Sequence, residues 1–273
     1  MLTIESALAA LTRGIQGPCI IGATGGSGTR VVARIARGGG MYIGTNLNIS
    51  TDALDFGRYS NRWINSFMSG SRSPETEAEM VEDLMLVLQD HLRSLDPSAR
   101  VWGWKEPRSA FLLPYFHTHF RELKFLHVVR DGRDMAFSAN QNQLTKHGST
   151  MLKESEAHWN APLQSIALWS RLNLRVADYA ERHLAGQYLR IRFEDLCGEP
   201  VETIRRIFEF FGLEGDPAHL AHTEVSAPAS LGRWRNMDAG TLEAFHRVAA
   251  PALVKFGYEV TDTRAAVDHV AIG

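Results

Sequence analysis

Cys19-Ile20-Ile21-Gly22-Ala23-Thr24-Gly25-Gly26-Ser27-Gly28-Thr29-Arg30 runs from an apolar stretch straight into a glycine-rich turn. Val31, Val32 and Ile35 then recur at helical spacing up to the triple glycine Gly38-Gly39-Gly40. The order is strand, glycine-rich loop, helix. Backbone N–H groups freed by such a turn, aimed with the positive end of the following helix, form a site for phosphate or sulfate. Gly25, Gly26 and Gly28 permit the turn, Ser27 and Thr29 add hydroxyl donors, and Arg30 adds a fixed charge with a planar donor fork. Glycines also let a helix pack closely on a strand, but hydroxyls and an arginine set among them point to an anion.

Outward from this loop, Met41 to Ile43, Val101 to Trp104, Lys124 to Val129 and Tyr188 to Phe193 read as further strands of a buried parallel sheet. Helical patterns separate them at residues 3–13, Pro74 to Leu95, 131–141, 162–183, 200–211 and 241–256, Pro74 and its acidic neighbours opening one of them. This alternation predicts an α/β fold, P-loop-like and three-layered, with a central parallel sheet flanked by helices. The 273 residues carry no Ser/Pro/Gly-rich linker, so residues 1–273 are expected to form one domain.

The formal net charge of −2 excludes a global positive field that would draw nucleic acid. The longest apolar runs, such as Leu84 to Leu88, fall far short of the roughly 20 residues needed to span a bilayer. Met1-Leu2-Thr3-Ile4-Glu5 has neither a cationic region nor a small-residue cleavage site, so a cytoplasmic location is expected. Cys19 and Cys197 stand in apolar surroundings without a CxxC or Cys/His cluster, as buried thiols do.

Two other readings of the loop fail on particular residues. The NTPase pattern GxxxxGK[ST] places Lys before the hydroxyl, where Gly28 stands before Thr29. Thr24-Gly25-Gly26-Ser27-Gly28 also resembles the nicotinamide-binding turn of short-chain dehydrogenases, which pair it with Tyr-x-x-x-Lys. Four residues after the tyrosines stand Asn46, Trp63, His119, His183, Arg192 and Asp262, never Lys. An NAD(P)-binding protein without that catalyst, or a non-catalytic nucleotide-binding module, stays as the alternative.

Ser27-Gly28-Thr29 resembles the 5′-phosphosulfate-binding loop of sulfotransferases that use 3′-phosphoadenosine-5′-phosphosulfate (PAPS), in particular the bacterial and carbohydrate-type members. A second motif of that family is an Arg at a strand end with a Ser eight residues on, matched by Arg130 and Ser138. The resemblance implies that both hold the 3′-phosphate. A third match is Gly232-Arg233-Trp234-Arg235-Asn236, similar to the Gly-x-Trp-x-Asn loop over the nucleotide. Upstream of it Ala227-Pro228-Ala229 replaces the family's Arg-Lys-Gly, leaving Arg233 and Arg235 as substitutes. Tyr188 to Leu196 resembles the family's late strand leading into a helix.

Sulfuryl transfer needs an in-line acceptor hydroxyl, a base for its proton and positive charge on the leaving phosphate. Trp102-Gly103-Trp104-Lys105-Glu106-Pro107-Arg108-Ser109 is similar to Lys-x-Pro-Arg segments of carbohydrate-type members. Lys105 is expected to stabilise the bridging oxygen, and Glu106 to act as base if desolvation raises its pKa. Against this, cytosolic members carry a His base where Pro107 stands, and Lys105, Glu106 and Arg108 could be no more than an ion-pair cluster capping a helix. His127 and His158 are then the next candidates. Gly26 replaces the loop Lys of many members, so Arg30 or Lys105 must supply its charge. The resemblance implies no metal, and His117-Thr118-His119 spreads its side chains over different helix faces.

Residues 45–100 and 140–160 match nothing in the family pattern and read as acceptor-specific. Asn140-Gln141-Asn142-Gln143 to His147, with Trp102, Trp104 and Trp159, mixes amides and aromatic faces as a sugar-binding surface does, although a polar loop and core tryptophans would look the same. A glycan or glycolipid hydroxyl is the expected acceptor.

Overall fold

Five strands pair in parallel in a computed structural model that describes residues 4–260. In chain order the elements are α1 (Ile4–Thr12), β1 (Gln16–Ala23), α2 (Thr29–Gly38), β2 (Met41–Tyr42), α3 (Leu54–Ser69), α4 (Pro74–Leu92), β3 (Val101–Lys105), α5 (Leu113–His119) and β4 (Lys124–Val129). They continue as α6 (Gly132–Met135), α7 (Asn142–His147), α8 (Ala161–His183), β5 (Tyr188–Arg192), α9 (Phe193–Gly198), α10 (Pro200–Phe211), α11 (Pro217–Glu224) and α12 (Ala239–Lys255). The expected P-loop-like α/β architecture is present, with helices on both faces of the sheet. The reading of Met1 to Thr3 lies outside the described residues. Among those described, no helix is long and apolar enough to cross a membrane.

The strand order is β2-β3-β1-β4-β5. The chain leaves central β1 to build β2 and β3 on one side, then crosses to β4 and β5 on the other. An open α/β sheet binds its ligands outside the carboxyl ends of the strands at such a reversal. Here that point lies over Ala23, between Lys105 of β3 and Val129 of β4.

Alternation along the strands assigns each face its core. Ile20, Trp102, Trp104 and Phe125 pack toward α3, α4 and α5, whereas Cys19, Ile21, Val101 and Leu126 pack toward α2 and α10. Trp104 stacks on Phe56 with ring centroids 3.8 Å apart, and Trp102 and Trp104 are 1% and 0% exposed. This corrects their reading as a sugar face: a strand buried on both sides has no surface to offer. Trp159 is half-buried in a loop.

The helix expected over 131–141 stops at Met135. Its polar continuation Ser138-Ala139-Asn140 turns instead, held by Gln141, whose Nε2 donates to the Ser138 carbonyl at 2.9 Å. Three helices were not anticipated, α3, α7 and α11. The longest, α3, lies in a stretch where Gly57 and scattered polar residues blur the helical period, yet it buries Phe56, Tyr59, Trp63 and Ile64.

Candidate functional site

The junctions after β1, β3 and β4 wall one cavity of about 640 Å³. Its floor is the glycine loop. Gly26 and Gly28 hold φ of 87° and 86°, a left-handed region that costs a non-glycine residue about 1–2 kcal/mol. Gly28 is the N-cap of α2, and no side chain caps that helix, so its first turn presents backbone donors beside a wall of Gly25, Gly26, Gly28, Thr29 and Arg30. Ser27 behaves differently from expectation. It is fully buried, and its hydroxyl donates to the Thr24 carbonyl at 2.8 Å, bracing the loop from beneath.

On the β4 side stands Arg130. Its guanidinium donates to Ser230 Oγ at 3.0 Å and lies 3.8 Å from the Asp134 carboxylate and 5.5 Å from the Phe193 ring centroid. Its Nε is buried without a partner. Neighbouring Arg133 is wholly structural: fully buried, it grips Asp131 with two donors at 3.0 and 2.7 Å and stacks 3.6 Å from the Trp234 ring. One arginine thus faces the cavity and the other serves the core.

Ser138, Arg233, Trp234 and Arg235 are not among the cavity-lining residues. Because α6 is short, half-buried Ser138 is carried away, and its Oγ accepts from Asn140 N at 3.2 Å. Asp134 accepts the Gly232 and Trp234 backbone N–H at 2.6 and 3.0 Å, Arg233 donates to the Asp134 carbonyl, and Arg235 sits 4.8 Å from the Trp234 ring. The segment therefore anchors to α6. It is the stretch upstream that reaches the cavity, through Ser226 and Pro228, with Ser230 on Arg130.

On the β3 side, Lys105 Nζ donates to the Ser50 carbonyl at 2.6 Å and pairs with Asp52. Burial pushes its pKa down, and Asp52 pushes back. Glu106 Oε1 accepts from Arg108 Nε at 2.8 Å and its Oε2 from Ser60 Oγ at 3.1 Å. Burial raises the Glu106 pKa against the opposing pull of Arg108. The ion-pair cluster and the cavity wall are therefore the same residues. Asp52 was missed: it sits in a turn held by Asn48, whose Oδ1 accepts from the Ser50 and Asp52 N–H at 2.8 and 2.9 Å. Nothing local in the sequence marks its pairing with a lysine on a distant strand.

His127 lies inside the core between Tyr188 Oη at 2.9 Å and Asn173 Oδ1 at 2.8 Å, and is not among the lining residues; neither is exposed His158. Cys19 is buried and Cys197 half-buried, both unpaired. No cluster with metal-ligand composition occurs among the described residues.

The profile of the sulfotransferase family matches residues 50–217, more than half of the sequence. The chain belongs to the sulfotransferase family. It is 24% identical over 190 residues to human carbohydrate sulfotransferase 3, covering 59% of this chain and 39% of the relative. It is 53% identical over 143 residues to human carbohydrate sulfotransferase 2, covering 40% of this chain and 26% of the relative. The chain thus spans under half the length of these curated relatives. Among solved structures, a sulfotransferase from Mycobacterium avium shares the fold with a TM-score of 0.56 at 12% identity, over 95% of this chain and 82% of that one. The sulfotransferase domain of a Synechococcus olefin synthase does so at 0.52 and 17% identity, over 90% and 96%.

Proposed function

We propose that the protein transfers the sulfuryl group of PAPS to a hydroxyl of a glycan or glycolipid. The observation that carries this reading is one cavity uniting an uncapped helix N-terminus, an arginine with a buried unsatisfied Nε, and a lysine beside two carboxylates. The names of the carbohydrate sulfotransferases that the chain resembles support a saccharide acceptor.

The loop N–H groups from Gly25 to Arg30 and the Thr29 hydroxyl would hold the 5′-phosphosulfate. Arg130 would hold the 3′-phosphate, backed by Ser230, while Arg233 and Trp234 steady α6 behind it and Ser138 and Arg235 stay outside the wall. PAPS supplies an activated sulfuryl group. The acceptor oxygen forms its bond to sulfur as the bond to the bridging phosphate oxygen breaks, and adenosine 3′,5′-bisphosphate leaves with the electron pair. The hydroxyl proton passes to Glu106, which burial makes more basic than an ordinary carboxylate. Arg30 and Lys105 neutralise the leaving charge, a role that needs no metal. Asp52 supports a second reading of the base. Taking the proton would neutralise Asp52 and release Lys105 toward the bridging oxygen, since the two are paired.

The proposal keeps residues 1–273 as one domain and places the protein in the cytoplasm, where two unpaired thiols stay reduced. The test is calorimetric binding of adenosine 3′,5′-bisphosphate beside 5′-AMP, NADPH and ATP with Mg²⁺. Selective bisphosphate binding, weakened tenfold or more in Arg130→Ala, is expected from the loss of charge-assisted hydrogen bonds. Preference for NADPH or ATP would overturn the reading. Radiolabelled sulfate transfer to a saccharide panel then separates an enzyme from a silent binding module.

A further inference from the structure

The β3 side of the cavity carries two side chains that the reaction above leaves unused. Gln143 and Lys146 both line the wall, three residues apart on α7 and hence on one helix face. Gln143 is 8% exposed and packs against the loop, its Cδ 3.5 Å from where a Gly25 Cβ would stand. Its Nε2 donates to the Ala23 carbonyl at 3.4 Å. A carbonyl can only accept, so the amide orientation is fixed and Oε1 is the atom left over. That Oε1 is buried and has no partner.

A buried acceptor without a donor costs about 1–3 kcal/mol, and a bound molecule that supplies the donor recovers this. Beside the glycine loop, the donor cannot come from a phosphosulfate, whose oxygens at neutral pH only accept. With the phosphosulfate group ruled out, the donor is assigned to a hydroxyl of an acceptor seated in the same cavity, and the nucleotide-affinity arm of the test below separates it from the donors on the ribose and adenine. Lys146 adds a second constraint. Its Nζ donates to Asn61 Oδ1 at 3.1 Å, and the Arg108 guanidinium donates to the same oxygen. Arg108 is already balanced by Glu106 at 2.8 Å, and Lys105 by Asp52, whereas Lys146 has no carboxylate within ion-pair distance among the described residues. This end of the cavity therefore keeps one unmatched positive charge at its exposed edge.

We infer that Gln143 and Lys146 form an acceptor subsite for an acidic saccharide, Gln143 receiving a hydrogen bond from a sugar hydroxyl beside the loop and Lys146 binding a carboxylate or sulfate on the same molecule. This rests on the sulfotransferase reading and names the acceptor class. Gln143 is a positioning residue in this scheme and Lys146 a specificity residue.

The test compares a glucuronic acid-containing disaccharide with its glucose counterpart, which differ by one carboxylate, in a PAPS-dependent transfer assay, beside calorimetry with adenosine 3′,5′-bisphosphate. Wild type is expected to prefer the acidic sugar. Lys146→Ala should lower the acid-to-neutral ratio of kcat/KM roughly fivefold, the upper end for an exposed ion pair, and Lys146→Arg should restore it. Gln143→Leu should lower kcat for the acidic sugar about tenfold or more while bisphosphate affinity stays within about twofold. If the bisphosphate does not bind wild type, the sulfotransferase reading falls and this one with it. If it binds but the two sugars are used equally, if neither is sulfated, or if both variants keep wild-type acceptor kinetics, the acceptor assignment alone is overturned.

Discussion

Replacing Gly28 by alanine tests the loop geometry against a built-in control. Gly26 and Gly28 have nearly the same positive φ, 87° and 86°, so an alanine at either site pays the same left-handed strain of about 1–2 kcal/mol. Their surroundings differ. A Cβ on Gly26 would meet only Met135 Cε at 3.8 Å, an ordinary contact, whereas a Cβ on Gly28 would stand 2.2 Å from two carbons of the Phe193 ring. Phe193 is 3% exposed and cannot swing into solvent. Forcing it aside belongs with overpacking of a core, about 1–3 kcal/mol. Gly28→Ala should therefore be less stable than Gly26→Ala by about 1–3 kcal/mol, or roughly 2–5 °C in Tm for a domain of this size. Thermal unfolding followed by circular dichroism reads the difference. Adding Phe193→Leu should recover part of it in Gly28→Ala and none in Gly26→Ala, a coupling expected only of residues in contact. Equal Tm values for the two single variants would refute the packing of Phe193 under the loop.

Glu106→Gln should cost a hundredfold or more in kcat while leaving bisphosphate affinity intact; such a loss in Asp52→Asn with Glu106→Gln near wild type would move the base to Asp52. Since burial raises the Glu106 pKa and the base must be ionised, kcat/KM should fall on the acid side at a pH above the usual carboxylate range. Arg133→Ala should lose about 3–5 kcal/mol of stability in urea unfolding, because it strands buried Asp131, while Arg130→Ala acts mainly on nucleotide binding. His127 is held neutral by burial, its pKa pushed down to about 4 from 6.5. The unfolded chain binds the extra proton in that window, so stability should drop by up to about 3 kcal/mol as pH falls from 6.5 to 4, and His127→Gln should flatten the profile.

The strands were legible as short apolar runs, most plainly β1 and β3, whose burial on both faces leaves few polar residues to blur them, and least in β5, half-buried and carrying Arg190 and Arg192. The glycine loop and Arg130 were legible for the related reason that each follows such a run directly. What escaped the sequence was side-chain direction and long-range pairing. Ser27 reads as a donor, yet nothing in Ser-Gly-Thr says that its hydroxyl turns inward to Thr24. Arg130 and Arg133 look equivalent on the page, and only the position of Trp234 and Asp131 sends one to the core. Ser138 was misplaced because the helix carrying it ends a turn early, at Met135. Asp52 and Ser230 touch their partners across 53 and 100 residues, and no local period encodes such a contact.

The sheet order has a consequence for how such proteins diversify. With β1 in the middle, the loop and Arg130 proposed for the donor follow β1 and β4, whereas the residues proposed for the acceptor stand toward β3, where Lys105 alone would serve the leaving phosphate. A lineage can redraft the stretches around Asp52, Asn61 and Lys146 to change what is modified, while the nucleotide half is inherited unaltered. The bond from Gln143 to the Ala23 carbonyl marks where that freedom ends: any graft of a foreign acceptor half must still seat itself on the end of β1.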